Sequence, residues 1–90
     1  MSQPKFPLGQ TVATRGAAAE LTQPEMLAAL QRHQRGDWGE LDVEDRKAND
    51  QALVDGTRLL SAYRTAGGTK FWVITEWDRS VTTVLLPEEY

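Results

Sequence analysis

His33 is the only histidine of the chain, and Asp37 follows it by four residues. A histidine with a carboxylate at that spacing can act as a general base steadied by the acid, or as half of a metal pair. Gly36 stands between them. A helix that breaks at this glycine no longer holds both side chains on one face. The plainer reading is a histidine favoured at a helix C-terminus, or one packed on Trp38. One histidine, no cysteine and scattered carboxylates make no metal motif, so neither metal nor cofactor is expected.

A second set could handle phosphate. Arg58, Arg64 and Arg79, with Tyr63 or His33 as proton donor, could clamp a scissile phosphate as a ribonuclease of the small-toxin type does. The plainer reading is ion pairing of these arginines with Glu76 and Asp78 across strands, each pair contributing little. There is no phosphate-binding glycine loop, no nucleophile elbow and no Ser–His–Asp order.

The stretch HQRGDWGELDVED, residues 33–45, opens an acidic run. From 37 to 55 the acids are Asp37, Glu40, Asp42, Glu44, Asp45, Asp50 and Asp55, against only Arg46 and Lys47. Such a run could hold a divalent cation or imitate a phosphate backbone, but the calcium-loop spacing is absent. Helix capping and a solvated face account for it more simply. Three tryptophans are many for 90 residues. Core filling explains at least two. Residue parity puts Trp72 and Trp77 on opposite faces of one sheet, so one of them is a candidate partner anchor.

These side chains must be held by a small scaffold. Ninety residues make one domain, 1–90, with a thin stability margin. Residues 1–8 hold Pro4 and Pro7 and read as a loose arm. Absent cysteine excludes disulfides and thiolate chemistry. No apolar run approaches a membrane span and the first residues have no signal-peptide core, so a cytoplasmic protein is expected. The net charge of −3 argues against nucleic acid as a direct ligand.

Residues 8–14 read as a short strand and 17–19 as a helical turn or a connection. Thr22 and Glu25 form a capping box with Pro24 in the first turn. Met26, Leu27 and Leu30 give the helix its apolar stripe, and Gly36 ends it. Trp38 then folds back on the last turn and Gly39 turns the chain. Asp42 caps a second, polar helix that runs to about Val54 and stops at Gly56. Residues 58–65, 70–77 and 80–86 read as three strands, with turns at 66–69 and 78–79. The expected fold is α+β in the order βααβββ, an antiparallel sheet with two helices on one face. Exposed sheet edges leave room for a homodimer.

The stretches LGQTVATRGA, RHQRGDWGELDVEDRKANDQAL, GTRLLSAYRT and FWVITEWDRSVTTVLLPEEY carry a resemblance over nearly the whole chain. It is to a group of small "plasmid-related" proteins of bacterial plasmids, integrative elements and phages, some of them labelled type I restriction endonuclease subunit M. The resemblance implies an accessory protein of a mobile genetic element and no particular chemistry. On its pattern His33, Asp37, Trp38, Asp45, Asn49, Arg58, Tyr63, Glu76, Asp78 and Arg79 are the residues of interest. The order βααβββ is also similar to RelE/ParE-type toxins, although those are basic and this chain is acidic.

The expected function is therefore binding without catalysis. The chain would dock on a host or element protein, in defence or restriction, with Trp38 and the surrounding acids at the rim of the contact. Asp37, Trp38, Asp45, Asn49, Glu76, Asp78 and Arg79 form the candidate binding set. The alternatives are a toxin ribonuclease with a cognate antitoxin, using His33, Arg58, Tyr63, Arg64 and Arg79, and an acidic DNA mimic.

Overall fold

A computed structural model describes residues 3–90 of the chain. Strand β1 (Gln10–Ala13) leads into α1 (Arg15–Glu20), α2 (Gln23–Gln34) and α3 (Val43–Asp55). Then come β2 (Leu59–Arg64), β3 (Lys70–Thr75) and β4 (Val81–Leu85), and a 3-10 turn at Pro87–Glu89. The fold is α+β. The sheet order is β1-β4-β3-β2. The meander β2–β3–β4 is antiparallel, but β1 joins β4 in parallel, so the sheet is mixed rather than antiparallel. Alternation cannot reveal this, because the pairing sense depends on the path between strands.

Three helices form, one more than the two expected. The extra one, α1, is nucleated by caps: the Thr14 hydroxyl accepts from Ala17, and Glu89, from the far end of the chain, accepts from Gly16. The α2 capping box forms as read. Its end is a Schellman turn, with Gly36 at φ 83° donating to His33 and Asp37 donating to Arg32. Asp42 caps α3.

Leu59, Ser61 and Tyr63 of β2, Phe71, Val73 and Thr75 of β3, and Thr82 and Val84 of β4 share the covered face of the sheet. Ala17, Leu21 and Ala29 pack there against Tyr63, Phe71, Val73 and Val84. A second apolar cluster joins Phe6, Trp38, Ala52 and Leu59. Phe6 is thus a core residue. The arm expected over 1–8 is docked where it is described, with the Lys5 amide donating to Gln34; Met1 and Ser2 lie outside the described residues. No helix among the described residues is long and apolar enough to cross a membrane.

Candidate partner-binding turn

The corner at residues 36–39 is an internal joint. Trp38 is 4% exposed; its ring stacks with Phe6 and its indole N–H donates to Asp50. Gly39, at φ 77°, lies against β2, where a Cβ would strike the Ala62 carbonyl oxygen. The Ala62 amide donates to the Trp38 carbonyl, and the Glu40 amide to Ala62. The loop thereby seals the outer edge of β2. The expectation that Trp38 forms the rim of a contact is corrected: burial in a small core is worth more than exposure of so large an apolar ring. Asn49 is likewise buried. Its amide accepts from the Leu60 N–H and donates to the Leu60 carbonyl, so α3 is clipped to the same edge.

His33 is fully buried, edge-on to Phe6 and Trp38. Its Nδ1 meets the Ser61 hydroxyl, and its Nε2 lies 2.9 Å from Thr75 Oγ1. Thr75 continues to Thr82, and Thr82 donates to the Leu8 carbonyl at 2.7 Å. A hydroxyl has one hydrogen to give. Thr82 spends it on Leu8, so Thr75 donates to Thr82 and the histidine Nε2–H donates to Thr75. His33 is assigned as the neutral Nε2–H tautomer, accepting from Ser61 at Nδ1. Burial, reinforced by the Arg79 charge, lowers its pKa to about 3. It is a core histidine without access to substrate, which corrects its candidacy as a general base.

Asp37 does not pair with His33. Its carboxylate takes the Arg32 guanidinium at 2.7 and 3.2 Å, which holds it below the usual carboxylate range. Tyr63 is buried and gives its hydroxyl hydrogen to the Asp37 carbonyl; burial raises its pKa to about 12. It is no proton donor to a ligand. Arg58 and Arg64 stand at opposite ends of β2, on the order of 20 Å apart. Arg64 pairs with Glu40, while Arg58 holds Glu76 and the Tyr90 hydroxyl. The five residues of the ribonuclease set therefore share no cleft. Among the described residues no three His, Asp or Glu side chains gather as a metal would require. Asp45 is exposed on the first turn of α3.

Glu76, Asp78 and Arg79 share one turn with a residue that parity misplaced, but their side chains take separate partners: Arg58, Ser80 and the carbonyls at the end of α3. β3 ends at Thr75, so Trp77 belongs to the connection and leaves the sheet. The Arg79 amide closes the turn on the Glu76 carbonyl. Arg79 takes φ 60°, a left-handed conformation that disfavours side chains, and is the only such non-glycine among the described residues. Its guanidinium compensates by donating to the carbonyls of Ala52, Thr57 and Glu76, tying the turn to the C-terminal end of α3. Asp78 accepts from the Ser80 amide and hydroxyl, and these lower its pKa. The result is a braced turn with Trp77 at its tip, 66% exposed. The readable signal was a tryptophan immediately before Asp-Arg-Ser, a turn-forming run.

Compared with family models, with curated proteins and with solved structures, the chain finds no match in any of the three.

Proposed function

We propose that the chain is a binding protein without catalysis, an accessory of a bacterial mobile genetic element that docks on a host or element protein through the Trp77 turn. The observation that carries this reading is an exposed indole on a rigid support. Tryptophan supplies large contact area for few rotatable bonds, and a braced turn has little conformational freedom left to lose on association. The cost of the left-handed Arg79 is accepted where a glycine would serve, and Arg79 fixes the tip against α3. The mobile-element assignment rests on the sequence resemblance, and the absence of a shared cleft for the ribonuclease set supports binding over cleavage.

The test is capture of partners from nuclease-treated host lysate by tagged wild-type chain and by Trp77→Ala. A stoichiometric partner held by the wild type and released by a folded Trp77→Ala supports the proposal. Equal retention by both, or an empty capture with the wild type, overturns it.

A further inference from the structure

We propose that two copies of this chain pair through the outer edge of β1 to form one continuous eight-stranded sheet. The two edges of the sheet are treated differently. The β2 edge is closed by the Gly39 bridge and the Asn49 clip. At the β1 edge, the amides of Gln10 and Thr14 point inward to the carbonyls of Ser80 and Val84. Strand alternation then turns the N–H and C=O groups of Thr11 and Ala13 outward, with no partner among the described residues. This edge is only four residues long, but it carries no proline, no charge and no bulge to keep it from pairing.

The occupant that fits is the same edge of a second copy. Antiparallel pairing about a two-fold axis at Val12 sets Thr11 opposite Ala13 of the partner copy, and all four outward residues are satisfied. Beside this edge lies a groove of about 340 Å³ between β1 and α2, walled by Met26, Leu27 and Leu30. Leu27 is 58% exposed. The small side chains of Thr11 and Ala13 of the partner copy lie on the groove side and suit it. Charge favours the match, because residues 9–14 are uncharged and the acidic α3 packs at the β2 end of the sheet. One paired strand with its flanking groove is a small interface, so a dimer of modest affinity is expected.

Sedimentation equilibrium of the full chain across micromolar to millimolar concentration tests this. The expected mass rises from 10.1 kDa toward twice that value. Val12→Asp, at a half-exposed position, places like charges on the axis and raises the dissociation constant at least about tenfold with an unchanged circular dichroism spectrum. The chain lacks cysteine, so Val12→Cys gives a single thiol. A non-hydrogen-bonded antiparallel pair brings Cα atoms to ~4.5 Å, within disulfide reach. Val12→Cys should oxidise to a covalent dimer faster than Val54→Cys on the exposed side of α3. A chain monomeric throughout, a dimer indifferent to Val12→Asp, or no faster cross-linking at Val12 than at Val54 overturns the proposal.

Discussion

His33 and Thr82 are joined through Thr75, so the proton that Thr82 gives to the Leu8 carbonyl decides which nitrogen of the histidine is protonated. The native state holds this ring neutral down to about pH 3, whereas the unfolded chain protonates it near 6.5. Below 6.5 the unfolded state binds the extra proton, so stability falls with falling pH and stops falling on this account below about 3. The depressed carboxylates, Asp37, Asp78 and Glu89, contribute losses only further into acid. Between pH 6.5 and 4.5 the slope therefore belongs to His33 and amounts to on the order of 2 to 3 kcal/mol. Urea unfolding across that range should show it, and His33→Gln should flatten it. An equally steep profile in the variant would assign the slope to other groups.

Asn49→Ala leaves the Leu60 N–H and C=O without their side-chain partner. A loss of about 1 to 3 kcal/mol is expected. Asn49→Asp keeps the acceptor and loses the donor, so the Leu60 carbonyl faces a carboxylate. It should be no more stable than the alanine variant in chemical denaturation.

Arg79→Ala keeps the left-handed backbone and removes the guanidinium, and is expected to cost about 2 to 3 kcal/mol. Arg79→Gly removes the same bonds and relieves the strain, so it should be more stable than Arg79→Ala by about 1 kcal/mol. Thermal melts of the pair measure that difference directly. Identical melts would mean that the backbone at 79 stores no strain.

Gly39 and Gly56 have similar positive φ angles, 77° and 72°, but different surroundings. Alanine at 56 meets no atom within 4 Å, so only the backbone penalty of about 1 kcal/mol applies. Alanine at 39 adds a collision with the Ala62 carbonyl and the Tyr63 ring. Gly39→Ala should lower the denaturation midpoint distinctly more than Gly56→Ala.

Trp38→Ala and Trp77→Ala separate core from contact. The first opens a cavity and should cost about 3 to 5 kcal/mol, close to the whole stability of so small a domain. The second should change stability by less than about 0.5 kcal/mol, yet weaken partner binding at least about 30-fold. A large stability loss from Trp77→Ala would make that indole a structural residue.

Local rules carried most of the elements. The Thr22–Glu25 box, the Gly36 end and the Asp42 cap each rest on a few neighbouring residues and were legible. Three features depend on residues distant in the chain and were not. The parallel seat of β1 needs β4, the start of α1 needs Glu89, and the burial of Phe6 needs Trp38. For the candidate site, Glu76, Asp78 and Arg79 were read as members of one set, but Trp77 was assigned to the strand. The strand ends at Thr75, where the turn closed by the Arg79 amide on the Glu76 carbonyl begins, and no pattern of apolar residues announces that. Trp38 was misjudged for a related reason. A tryptophan after a helix end looks the same whether it folds inward or outward, and the deciding contact, Phe6, lies in a segment read as loose.

The parallel pairing of β1 with β4 also bears on how the chain acquires its shape. Gln10 sits beside Val81 and the Leu8 carbonyl accepts from Thr82, contacts that span more than two thirds of the sequence. Until β4 has been synthesised and has left the ribosome, β1 has no strand to join and the histidine row lacks its terminal hydroxyl. Contacts of such long sequence separation slow the search for the native state. The first half of a nascent chain must therefore wait with Ala17 and Leu21 lacking Val84 to cover them, and a chain cut short before β4 should remain unfolded rather than form a smaller version of the domain.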